Sequence, residues 1–343
     1  MSTQATGAGV PGTAPFFEDL QVGLVERSAP SLTLTEGMAA LHRAIVGDRL
    51  RLSLDRKLAR DVLGLREALA HPALVWDVSI GQSTLLTGRV IANLFYRGLV
   101  LARSPLIGDT LSTTTEVVAL RQNSPRAGRA PSGLAVLRVR TADQEGAPVL
   151  DFWRCAMLPL RDPGANTGYA DSFDHIPAEL DPGQLRAAIS SWRLDALPEL
   201  HGGRTSSLQP GMSWTGHGGD TVSSAPELAR LTLNVAAVHH DRFSQPGGRR
   251  LVYGGHTIGI AAAQATRMLP EIVTIVGWHS CEHLAPVHEG ATLRSELTLE
   301  RIDRLDGGGA LAHLRSRVHA LGEHEGELER VEVLDWRFVA VLA

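Results

Sequence analysis

Two stretches of this chain, 182 residues apart, carry the same features in the same order, and that repeat limits the folds open to it. SPLIGDTLSTTTEVVAL from Ser104 and APVHEGATLRSELTLERI from Ala285 each read as a small residue, Pro, a short turn, Gly, one residue, Thr-Leu and an alternating strand. Gly108 and Gly290 mark the spacing. A second strand-like run follows each, GLAVLRVRTA from Gly133 and ALAHLRSRVHA from Ala310, and then a third, VLDFWRCAMLPL from Val149 and ERVEVLDWRFVAVL from Glu329. Upstream of each set lies a helix-capable stretch, LVWDVSIGQSTLLTG around Trp76 and LVYGGHTIGIAAAQAT around Tyr253. Four features recurring in one order point to duplication. Each half is then one long helix followed by antiparallel strands, an α+β arrangement with the helix laid on a curved sheet.

The stretch from Arg161, RDPGANTGYADSFDHIPAEL and DPGQLRAA, is rich in turn formers and reads as the linker. The expected organisation is a flexible tail over 1–14, a first repeat over 15–162, the linker over 163–205 and a second repeat over 206–343. A net charge of −4 with mixed signs gives no basic stripe for nucleic acid and no polybasic segment for a membrane surface. The N-terminal MSTQATGAGVPGTAPFF lacks the basic and apolar regions of a signal peptide, and no run reaches a membrane span. Cys155 and Cys281 stand far apart without a CxxC, which fits a reducing, cytoplasmic setting. HSCEH, His279 to His283, has two histidines four apart, but its context reads as a strand entering a turn, so no metal is expected.

Three strings resemble the MaoC-like dehydratases: FFEDLQVG from Phe16, IANLFYRGLVLARSPLIGDTLSTTTEV from Ile91, and the block from NVAAVHHD to RRLVYGGHTIG beginning at Asn234. The likeness is strongest to the two-repeat mesaconyl-CoA hydratases, also called β-methylmalyl-CoA dehydratases. It implies a tandem, or double, hotdog, each half a curved antiparallel sheet wrapped around a central helix. It also implies reversible hydration of a 2-enoyl-CoA, coenzyme A being part of the substrate and no separate cofactor being needed. An assembly of several copies is compatible with this fold.

The family's hydration motif sets an acid and, five residues later, a His. In this chain Asn234 and His239 take those places. Imidazole suits proton transfer near neutrality, whereas Asn can only hold water through its carbonyl oxygen or orient the His. The N–H groups of Gly254 and Gly255 open a helix at the positive end of its dipole, and are the expected oxyanion hole. Tyr253 and His256 flank them as substrate contacts, His256 facing either the core or the pocket. Arg249 and Arg250 are candidates for the phosphates of coenzyme A or an acyl carboxylate. His240 and Asp241 are auxiliary candidates, Asp241 as the missing acid. In the first half Asp48 stands at the acid position, but Ser53 replaces the His and Asp77 falls where the second half has Gly, so that half is expected to be a vestigial site. A related enoyl-CoA or acyl-carrier dehydratase, a non-catalytic acyl-thioester binder and a hotdog thioesterase are the competing readings.

Overall fold

The computed structural model describes residues 14–197, 204–244, 247–324 and 327–343; most of the N-terminal tail and the end of the linker lie outside them. The first half contains β1 (Val25–Glu26), β2 (Leu32–Thr33), α1 (Glu36–Val46), α2 (Arg51–Leu54), α3 (Arg56–Leu63), α4 (Pro72–Gln82), β3 (Ala92–Leu101), β4 (Thr110–Gln122), β5 (Ser132–Ala142) and β6 (Pro148–Pro159). α5 (Pro182–Ile189) lies in the connection. The second half contains β7 (Ser213–Thr215), β8 (Asp220–Thr221), α6 (Ala225–Leu231), α7 (Gly254–Met268), β9 (Ile272–His283), β10 (Thr292–Arg304), β11 (Ala310–His324) and β12 (Glu327–Leu342).

The strands form one antiparallel sheet in the order β1-β4-β5-β6-β3-β9-β12-β11-β10-β7, with β2 beside β4 and β8 beside β10. The order is the same kind of path from either end, and the halves meet where β3 pairs with β9, Tyr96 opposite Cys281 and Leu99 opposite Trp278. That seam closes two edges that separate halves would expose.

Every residue of α4 is buried, as expected of a helix enclosed on all sides. α7 is alanine-rich and buried from Gly255 to Thr266, small side chains letting sheet and neighbouring segments approach closely. The approach is tightest at Gly81, where a Cβ would sit 1.7 Å from the Thr232 carbonyl oxygen of the other half. Any larger residue there forces the halves apart. Trp76, Trp278 and Trp336 pack edge to face at the junction, Trp76 to Trp278 at 4.7 Å between centroids. Each such side chain contributes on the order of 2–3 kcal/mol by burial. Both cysteines are buried and unlinked. No described helix is long and apolar enough to cross a membrane.

Hydrogen bonds fix the register of the repeat. Gln82 Nε2 donates to the Leu111 carbonyl at 2.9 Å, and Gln264 Nε2 donates to the Leu293 carbonyl at 2.8 Å. Isolated bridges join Leu69 to Leu106 and Leu251 to His288. All these counterparts are 182 residues apart, so His71-Pro72-Ala73 corresponds to Tyr253-Gly254-Gly255. This corrects the alignment suggested by the similar LVW and LVY strings: Asp77 lies in the second turn of α4, not at its start.

Candidate active site

Between α6 and α7 the chain makes a loop whose shape begins at Leu233, held at φ 60°. A left-handed leucine costs about 1–2 kcal/mol, and the turn sends Asn234 back toward the seam. Asn234 Oδ1 accepts the Ala236 N–H at 3.0 Å, and its own carbonyl accepts from His240 Nε2 at 2.6 Å. The Val235 N–H donates to Thr84 Oγ1 of the first half at 3.0 Å. The loop is therefore docked across both halves. Asn234 Oδ1 spends one lone pair within the loop, and among the described residues its NH₂ has no hydrogen-bond partner, which leaves it available as a donor to water.

His239 closes a short 3₁₀ turn, and its Nδ1 lies 2.9 Å from the Leu251 carbonyl. A carbonyl only accepts, so Nδ1 carries the proton and Nε2 presents a bare lone pair. Burial pushes His239 down from the ordinary 6.5 to about 4; the charges of His240 and Arg154 push the same way, and the Leu251 carbonyl opposes them. At neutral pH it is an uncharged base. The ring meets Tyr253 edge to face at 5.9 Å.

Tyr253 is the N-cap of α7 but makes no side-chain cap bond, its hydroxyl donating instead to Asp77 Oδ1 at 3.2 Å. The N–H groups of Gly254 and Gly255 thus stay uncapped at the positive end of the dipole, while the His256 N–H donates to the Tyr253 carbonyl at 3.0 Å; of the two glycines Gly254 lines the cavity of the site and Gly255 does not. A Cβ on Gly254 would lie 2.7 Å from Cε1 and Nε2 of His283, and one on Gly255 would lie 2.1 Å from Asp77 Oδ1. Both positions need glycine because side chains lie against the helix start.

Asn234, His239, Tyr253, Gly254 and Thr257 line one wall of a cavity of about 380 Å³, with His283 beside them. Ile80, Thr84, Tyr96 and Arg154 of the first half line the other. Each half supplies one wall. The corresponding space before α4 is only about 20 Å³ and is bordered by Ala188 and Trp192 of the connection.

Other expected contacts fall elsewhere. His256 is buried beneath α7 and does not line the cavity; burial, then repulsion from His42, pushes it to about 4. Its side chain leaves the helix on the core face, so the substrate contact expected of it is corrected. Arg250 pairs with Glu289, and its Nε donates to the His240 carbonyl at 3.3 Å, so it braces the loop outside the cavity. Arg249 is exposed, near His288 at the rim. His240 turns back to the Asn234 carbonyl and is no second base. Asp241 is exposed and accepts the Phe243 N–H at 2.8 Å, so it does not replace the missing acid.

Among the lining residues that sequence reasoning did not assign to the site are His283 and Arg154. In β9, His279 meets His313 at 2.7 Å and Glu179 at 2.9 Å, whereas His283 reaches the cavity. Burial, then His239, pushes His283 to about 4. Arg154 was hidden by its neighbours in sequence, although strand parity places it inward with Phe152, Ala156 and Leu158.

No family model matches the chain. A solved structure from Mycobacterium tuberculosis, described as a conserved hypothetical protein with a double hotdog fold, is 48% identical, with a TM-score of 0.82 over 96% of this chain and 98% of that one. A structure described as a putative MaoC domain protein dehydratase, from Chloroflexus aurantiacus, is 26% identical, with a TM-score of 0.81 over 98% and 99%. The chain belongs to the MaoC-like double-hotdog family. The beta-methylmalyl-CoA dehydratase of Chloroflexus aurantiacus is 28% identical over 349 residues, 95% of this chain and 96% of that enzyme.

Proposed function

We propose that this protein is a hydro-lyase that reversibly adds water to the 2,3-double bond of an enoyl-CoA, mesaconyl-CoA and β-methylmalyl-CoA being the pair. The observation that carries the reading is the bare Nε2 of His239 facing the same cavity as the uncapped start of α7 at Gly254. Water held by the Asn234 NH₂ gives a proton to His239 Nε2 as its oxygen bonds to Cβ. The π electrons move onto the thioester oxygen, and the Gly254 N–H, at the positive end of the α7 dipole, receives that charge. The imidazolium then returns the proton to Cα, so one water is added and the base is regenerated. The name of the Chloroflexus relative supports the substrate pair.

Incubation with mesaconyl-CoA and, separately, crotonyl-CoA tests this, with loss of enoyl absorbance and a mass gain of one water as readouts. The expected result is hydration of mesaconyl-CoA that collapses in His239→Ala. Hydration of crotonyl-CoA alone rejects the substrate, and saturable binding without turnover rejects the enzyme in favour of an acyl-thioester binder.

A further inference from the structure

Arg154 is 2% exposed, yet among the described residues no carboxylate lies within ion-pair distance of it. Its Nη1 donates to Ser83 Oγ at 2.7 Å and its Nη2 to Thr87 Oγ1 at 3.0 Å; the buried Nε has no partner. Two neutral hydroxyls are a poor exchange for the hydration of a guanidinium, because an ion kept out of water needs an opposite charge to offset the loss. The negative end of α4 lies nearby and compensates in part.

The repeat shows that the fold itself does not require a cation there. β6 and β12 share Val-Leu-Asp, at Val149-Leu150-Asp151 and Val333-Leu334-Asp335, and both aspartates pair with an arginine of the adjacent strand. Three residues beyond each Asp stand Arg154 and Phe338. They occupy matching rungs, Arg154 opposite Tyr96 and Phe338 opposite Trp278. Phe338 fills its place with no exposure, stacked on Trp336 at 3.9 Å. The second half is thus built with an apolar ring where the first half buries an unpaired charge, and only the charge lines the large cavity.

We infer that Arg154 is the anchor for a carboxylate on the acyl group, making the site selective for enoyl thioesters that carry a second, free carboxylate. The inference rests on the hydratase reading and names the residue that selects its substrate. The free donors of a guanidinium match a carboxylate in geometry and charge. The arginines considered from sequence do not have this placement, since Arg250 is paired with Glu289 and Arg249 is exposed at the rim. The anchor comes from one half and the base from the other, so the acyl group spans the seam.

The test compares wild type, Arg154→Met and Arg154→Lys on mesaconyl-CoA and crotonyl-CoA, and measures binding of the saturated analogues methylsuccinyl-CoA and butyryl-CoA by calorimetry. The wild type is expected to prefer the carboxylate-bearing member of each pair. In Arg154→Met the mesaconyl-to-crotonyl ratio of kcat/KM is expected to fall about 30-fold or more, with Arg154→Lys between. Those are the sizes typical of losing one partner of a buried charged hydrogen bond. An equal loss on both substrates overturns the inference, marking a structural or enolate-stabilising role. If wild type hydrates neither substrate the hydratase reading fails, and calorimetry still decides: a preference for methylsuccinyl-CoA abolished in Arg154→Met supports the anchor, and no preference in wild type overturns it.

Discussion

At the start of α7, Tyr253 leaves the N–H groups of Gly254 and Gly255 uncapped and Gly254 faces a cavity of about 380 Å³. At the start of α4, His71 Nδ1 accepts the Ala73 N–H at 2.9 Å, and Pro72 has no N–H to give. Asp48 closes the arrangement by taking the other ring nitrogen of His71 at 2.7 Å, while Asp48 Oδ1 also accepts the Leu50 N–H at 2.7 Å. Asn234 makes the corresponding bond to Ala236. The two loops thus keep one turn, but the first spends its polar groups on its own helix and the second leaves them for a ligand. The first half serves instead as one wall of the cavity at the start of α7.

The largest expected difference between the halves is at the base position. His239→Ala is expected to lower kcat on the hydrated enoyl-CoA by about 10²–10⁴-fold, whereas Ser53→Ala, its first-half counterpart, leaves kcat within twofold; equal losses would break the comparison. Next come the helix starts. Gly254→Ala drives a methyl into the His283 ring and is expected to cost about 10²-fold in kcat, the scale of a lost oxyanion donor. Pro72→Ala restores an N–H in the first half and is expected to add no activity, measured in the same assay.

Asn234→Asp sharpens the comparison by giving the second loop the first loop's acid. A negative charge near His239 favours the imidazolium and raises its pKa, so the acid limb of kcat/KM moves to higher pH. A pH titration of the variant beside wild type reads the shift, and a limb that stays put or moves down contradicts the placement of Asn234. The last effect is on stability. His71→Ala removes both the α4 cap and the partner of the buried Asp48 carboxylate, and is expected to cost about 2–4 kcal/mol in denaturant unfolding, with kcat unchanged. Burial alone would raise the Asp48 carboxyl, but His71 and the Leu50 N–H outweigh it and hold it below the usual 3.8. This stabilisation is present above 3.8 and is lost as pH falls through the lowered value; Asp48→Asn should blunt the acid end of the unfolding profile.

What sequence made legible was local. Strand alternation and the Gly-Thr-Leu turns located the repeat, and the glycines before the alanine-rich run marked the start of α7. Asn234, His239, Tyr253 and Gly254 line one cavity because they lie within a short stretch of one half. Long-range pairing hid the rest. Arg154 reaches the cavity because β3 pairs with β9 and carries β6 with it, a contact that no spacing encodes. Asp77 was misplaced because LVW and LVY look alike, whereas the glutamine bonds that set the register join residues 29 apart. His256 follows the two glycines directly, but the turn of the helix sends it to the core.

The pH dependence of kcat/KM between pH 5 and 8 tests the central claim most directly, because it reads the protonation state of the base. Burial holds His239 near 4, so the base stays unprotonated across this range. The predicted profile shows no acid limb above pH 5. An acid limb near 6.5 in wild type would mean a solvated imidazole, and one that persists in His239→Ala would place the base elsewhere; either result contradicts the account.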